Sequence, residues 1–222
     1  MTIEQVVTLA KNSDLKTLAI KEDNETIVGF LNLGLIELYK RFPLKVSELV
    51  LELQDGKTLY QMPADYMWIV AAYAEVDEAS TLPYKILPIN DEDNIESVNT
   101  TSWNMLQIPL AATGYRISIM YTAAPEVCVY NAAGAVGQKY YYTTVDNGVS
   151  VKKYDIPIPA QMVEALLEYI AYKANSSYNA DGTQDTVALY QRFEASCLRI
   201  EQRGMFNTDD LDMDARNMKG FV

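Results

Sequence analysis

The sequence predicts an α+β fold: helices at both ends form a bundle, an antiparallel β module with a projecting hairpin is inserted between them, and an extended arm closes the chain. Apolar residues recur every three to four positions up to Phe42, and again from Pro159 to Gly204. Between these segments the period falls to two, with turn signals at the breaks. Neither helical segment can hide its apolar stripe alone, so closing one on the other is the simplest solution. The expected boundaries are 1–45 with 157–204 for the bundle, 46–156 for the β module and 205–222 for the arm.

Taken in order, Thr2 and Gln5 have the spacing of a capping box, and Ile3, Val6, Val7 and Ala10 give the helix that follows an apolar face. A second helix starts near Asp23 or Asn24 and runs to Phe42, where Pro43 blocks continuation. Its core stripe is Ile27, Leu31, Leu35, Leu38 and Phe42. Gly29 and Gly34 each lower its helicity by about 1 kcal/mol relative to alanine, so another helix is expected to pack closely there. From Val46, Leu49, Leu51 and Leu53 alternate with Glu48, Val50 and Glu52 as in a half-buried strand. Asp55-Gly56 reads as a hairpin turn from which Leu59, Tyr60 and Met62 return.

Pro63 to Tyr66 reads as a single helical turn, Met67 to Val76 as a buried strand, and Tyr115 to Tyr121 as an alternating strand ended by Pro125. The Ala/Gly-rich connector Asn131 to Gly137 is expected to be mobile. A second hairpin spans Lys139 to Asp155 around Asn147-Gly148, a pair that favours a type I′ turn, with its tip exposed. Alternation there sends Tyr140 and Tyr142 to one side and Tyr141 to the other, which favours core or interface roles over ligand stacking. In the last helical pair, Met162, Leu166, Ile170 and Ala174 face Leu189, Phe193, Cys197 and Ile200 across a break at Asn175 to Gly182.

Composition narrows the function classes. The 222 residues suffice for one sizeable domain or two small ones. The formal net charge of −12 disfavours a nucleic-acid grip, which needs clustered Lys and Arg. Half of that charge lies between Glu75 and Glu96, where seven acidic residues accompany one lysine, and a solvated acidic loop is the plain reading. There is no histidine, which removes Ser/His/Asp and Cys/His nucleophile systems and the commonest metal ligand. Gly134-Ala135-Val136-Gly137 lacks the lysine of a phosphate loop, and Asp91 to Asn94 lacks the spaced ligands of a calcium loop. No catalytic, cofactor or metal site is therefore expected. Cys128 and Cys197 form no metal or redox motif and read as buried thiols of a soluble protein made in a reducing cytoplasm. No apolar run approaches the ~18 residues of a membrane span.

Three stretches carry a family resemblance: Leu38-Tyr39-Lys40-Arg41-Phe42 at the end of the second helix, Gln61-Met62-Pro63-Ala64-Asp65, and the spacing from Pro159 through Tyr169, Tyr172 and Tyr190 to Phe193. Together they resemble the head-to-tail adaptors of short-tailed bacteriophages, of the tail tubular protein A type. Met62-Pro63-Ala64-Asp65 match the L-P-x-D end of the family's Q-x-L-P-x-D turn with methionine for leucine, and Gln61 stands one position nearer than the pattern's glutamine. The usage, rich in Tyr, Asn and Asp, suits a crAss-like phage ring protein.

The resemblance implies a virion protein of the neck or tail, made in the host bacterial cytoplasm, with no enzymatic activity, no cofactor and no membrane contact. It implies a ring of twelve identical subunits that docks on the portal protein, extends the DNA channel and receives the next tail or nozzle protein. Packaged DNA passes through without specific binding.

Three surfaces are assigned on this reading. A portal-docking arm uses Met205, Phe206, Leu211, Met213, Met218 and Phe221. A hairpin with Tyr140, Tyr141, Tyr142, Asn147 and Gly148 contacts the tail or a neighbouring subunit. Asp91, Glu92, Asp93 and Glu96 face the channel or its rim. The alternatives are a tail-associated glycan-binding module that uses the tyrosine-rich hairpin, and a carboxylate enzyme.

Overall fold

The computed structural model describes residues 1–16, 18–75, 84–108, 116–146, 148–178 and 183–204, and these form an α+β fold of helices and antiparallel sheets. Contacts divide the chain into two compact units, Met1–Phe42 with Pro125–Val222, and Pro43–Ala124.

The first unit holds helices α1 (Ile3–Asn12), α2 (Asn24–Arg41), α3 (Val163–Tyr178) and α4 (Thr183–Gln202). The capping box forms as expected: Gln5 N donates to Thr2 Oγ1 at 3.2 Å, and Thr2 N donates to Gln5 Oε1 at 2.9 Å. Asp23 caps α2 by accepting from the Thr26 amide at 3.0 Å and from its hydroxyl at 2.6 Å. Helix α3 packs against α1, α2 and α4, and all eight stripe residues predicted between Met162 and Ile200 are buried. It runs to Tyr178, past the expected break at Asn175. Asn175 Nδ2 bonds the Ala171 carbonyl at 2.8 Å, and Ser176 Oγ bonds that of Lys173 at 2.9 Å, so these polar side chains are satisfied within the helix.

The two glycines of α2 behave differently. A Cβ at Gly34 would lie 2.6 Å from Leu166 Cδ1 and 3.1 Å from Tyr169 Cδ1, so α3 does approach there. At Gly29 such a carbon meets nothing within 4 Å. The close packing expected at both positions is present only at Gly34. Arg41 ties the end of α2 to α4: Nε donates to Glu201 Oε1 at 2.6 Å and Nη1 to Glu194 Oε2 at 2.7 Å.

The second unit contains β1 (Val46–Glu52), β2 (Leu59–Gln61), β3 (Tyr66–Glu75), β4 (Tyr84–Leu87), β5 (Asn99–Ser102), β6 (Met105–Gln107) and β7 (Arg116–Ala123). One antiparallel sheet has the order β1-β7-β3-β4 and a second the order β2-β6-β5. Leu106, Val98, Ile117 and Ile119 centre their shared core. The hairpin expected across Asp55-Gly56 does not form, because β1 pairs with β7 and β2 with β6. Leu49 and Leu51 of β1 lie opposite Ile119 and Ile117, a better apolar match than β2 offers. The buried Tyr60 holds the turn instead: its hydroxyl accepts from Gln54 N at 2.9 Å and donates to the Lys57 carbonyl at 3.2 Å. The Gln61 to Asp65 stretch closes this unit. Tyr66 N bonds the Pro63 carbonyl at 3.1 Å, Ala124 N bonds the Asp65 carbonyl at 2.6 Å, and Tyr121 OH donates to Asp65 Oδ1 at 3.2 Å.

A third sheet, β10-β9-β8, is built from β8 (Val129–Tyr130), β9 (Tyr140–Asp146) and β10 (Val149–Lys153). By contacts it groups with the helices, whereas the sequence boundaries placed it in the β module. Hydrogen bonds explain the grouping. Asn32 on α2 donates to the Cys128 carbonyl at 2.9 Å and accepts from its amide at 2.8 Å. Tyr140 OH donates to Asn24 Oδ1 at 2.9 Å, and Tyr39 OH to the Pro157 carbonyl at 2.7 Å. The connector from Asn131, expected to be mobile, instead folds into two hydrogen-bonded turns closed by Asn131 N on the Lys139 carbonyl at 2.7 Å.

Candidate functional site

The β9/β10 hairpin forms with the predicted register. Val149 pairs with Asp146 across a two-residue turn, and Gly148 takes φ +78°, a conformation that favours glycine. Asn147 lies outside the described residues. The pairs Ser150–Val145, Val151–Thr144 and Lys152–Thr143 then settle which side chains share a face.

Tyr140, Tyr142 and Thr144 form the inner face. Tyr140 is buried, with its ring centre 5.0 Å from that of Tyr130, and burial pushes its hydroxyl up to about 12. Tyr142 is half-buried and also raised, chiefly by burial and next by the nearby Glu126 carboxylate. Val129, Tyr141, Thr143, Val145, Ser150 and Lys152 share the outer face. Val145 is 70% exposed, and Val149 at the tip 63%. Lys152 Nζ stands 4.1 Å from the centre of the Tyr141 ring. With Tyr140 packed and one face of Tyr141 taken by a lysine, the hairpin is poorly arranged for stacking a sugar. From Lys139 to Asp155 it carries three lysines against two aspartates, a slight positive balance on an acidic chain. Lys152 escaped the sequence reading, although counting across the two-residue turn sets it opposite Thr143; Val129 is brought to this face only by the pairing of β8 with β9.

The acidic loop between β4 and β5 is held by its own backbone. Asn90 N bonds the Val98 carbonyl at 3.0 Å, Asp91 N bonds Ser97 Oγ at 2.9 Å, and Thr100 N bonds Asn90 Oδ1 at 2.7 Å. Asp91, Glu92 and Asp93 are exposed at its tip, while Glu96 is paired with Lys85 at 2.5 Å. Among the described residues no group of three His, Cys, Asp or Glu is arranged to hold a metal ion. Hairpin and acidic loop belong to different compact units. The arm residues Met205, Phe206, Leu211, Met213, Met218 and Phe221 lie outside the described residues. Both cysteines are free and buried; burial is the main cause that pushes the Cys128 thiol up to about 12 and that of Cys197 to about 11.

Residues 1–216 match the family model described as SU10 adaptor protein. The chain belongs to the SU10 adaptor protein family. No curated protein matches it. This SU10 adaptor is a phage structural protein and a virion component, with partners among the portal and tail proteins. Among its described residues no helix is long and apolar enough to cross a membrane.

Proposed function

We propose that this adaptor assembles as a ring of twelve subunits on the portal protein, continues the DNA channel and receives the next tail or nozzle protein. The family match across residues 1–216 is the observation that carries the reading. In it the arm after Gly204 docks on the portal, and the outer face of the hairpin contacts a neighbouring subunit or the next tail component. Asp91, Glu92 and Asp93 face the channel or its rim, where repulsion lets DNA slide without sticking; salt screens that effect over a Debye length of ~8 Å at physiological strength. The protein has no enzymatic role.

The test mixes the full chain with the portal protein of its phage and images the product by electron microscopy. Rings seated coaxially on the portal are expected. A chain that neither sediments with the portal nor associates with itself overturns the proposal.

A further inference from the structure

Helix α2 turns one face to the core and leaves another without a partner among the described residues. Glu25, Gly29, Leu33 and Ile36 follow one another at intervals of four, four and three, and all are exposed, Leu33 at 45% and Ile36 at 38%. An exposed glycine inside a helix costs about 1 kcal/mol relative to alanine. Gly34 recovers that cost by admitting Leu166. At Gly29 nothing lies within 4 Å of where a Cβ would sit, so among the described residues nothing uses the space.

Helix α4 carries an outward face with the same spacing in reverse. Arg199, Ala195, Gln191 and Ala188 are all exposed, and Leu198 beside them is 48% exposed. Laid antiparallel on α2, this face sets Arg199 against Glu25, Ala195 against Gly29 and Ala188 against Ile36. Small residues then oppose each other where the backbones come closest, the large apolar side chains pack beside them, and opposite charges meet at one end. Arg199 donates to Ser196 Oγ at 2.8 Å and to the Ala195 carbonyl at 3.3 Å on its own helix, and its ion pair with Glu164 is 3.8 Å long with both side chains more than half exposed, so the guanidinium stays accessible to a second copy.

We propose that α4 of a second copy docks antiparallel on the Gly29 face of α2. The inference rests on the ring reading above. Its two patches differ, so every docked copy presents a fresh one. Such a head-to-tail contact propagates and closes into a ring when the rotation per subunit allows.

The test uses the full chain carrying Gly29→Leu. A Cβ there meets nothing within 4 Å among the described residues and the position faces outward, so the variant should melt at or above the native temperature. Self-association, followed by mass photometry alone and by electron microscopy on the portal, should weaken at least tenfold. A second arm keeps fold and interface apart: Glu25→Arg and Arg199→Glu should each weaken assembly, and the two together should restore it. Rings that form from Gly29→Leu at the native concentration overturn this contact and leave the ring reading standing, as does a charge swap that fails to restore assembly. A native chain that stays monomeric alone and on the portal overturns both.

Discussion

Gly34→Ala and Gly29→Ala apply one chemical change to one helix, and their difference isolates the packing of α2 on α3. Replacing a mid-helix glycine by alanine contributes about 1 kcal/mol of stability through the backbone. At Gly29, where the new methyl group meets nothing, that gain should appear undiminished. At Gly34 the methyl carbon arrives 2.6 Å from Leu166 Cδ1 and 3.1 Å from Tyr169 Cδ1. Leu166 is fully buried and Tyr169 only 5% exposed, so neither can swing into solvent. Overpacking a filled core costs roughly 1–3 kcal/mol. The backbone term is common to both variants, so Gly34→Ala should be less stable than Gly29→Ala by that same amount, roughly 1–3 kcal/mol.

Urea unfolding followed by circular dichroism, at concentrations where the chain is monomeric, measures the difference as a shift in midpoint at constant slope. Leu166→Ala supplies the control. Alone it should cost about 2–5 kcal/mol. In the Gly34→Ala background it should cost less, with a coupling of about 1 kcal/mol, because it removes the clashing carbon. Equal midpoints for the two alanine variants, together with additive behaviour of the double mutant, would refute the reasoning.

Three other outcomes are expected. The hydrogen bond from Arg41 holds the Glu194 carboxyl below its ordinary 4.5, so the stability it contributes is present above that value and is lost as pH falls through the lowered one; Arg41→Ala should flatten acid unfolding curves by about 1 kcal/mol or less, since the pair is partly exposed. Asn32→Ala leaves the amide and carbonyl of the buried Cys128 without their partner, at roughly 1–3 kcal/mol for each unpaired group, and should lower the urea midpoint and speed hydrogen exchange at that amide. Thiols with values pushed up to about 12 and about 11 hold almost no thiolate near neutrality, so a disulfide reagent should label neither Cys128 nor Cys197 in the native chain and both after unfolding; prompt native labelling would place a thiol at the surface.

Much of the fold was legible because its cause is local. The capping box at Thr2, the run of α2 from Asp23 to Phe42, the stripes of α3 and α4 and the two-residue turn after Asp146 all depend on residues within a few positions of one another. Alternation was enough to send Tyr140 and Tyr141 to opposite faces of the hairpin. Pairing between distant strands was not legible. Asp55-Gly56 is a turn either way, and only the match of Leu49 and Leu51 with Ile119 and Ile117, nearly seventy positions on, decides that β1 turns away from β2.

What the sequence by itself determined is the helices, the strands β1, β2, β3, β7, β9 and β10 with their buried sides, and the family, since periodicity, capping and motif spacing survive without any long-range contact; the short strands β4, β5, β6 and β8 carry no such local signal and were not read. Tertiary structure alone decided that β8 to β10 group with the helices through Asn32 and Tyr140, that Arg41 clamps α4, and that Gly34 is filled while Gly29 is not. Two glycines in one helix look alike in sequence, and they differ only in what the rest of the chain brings within a few ångströms of each.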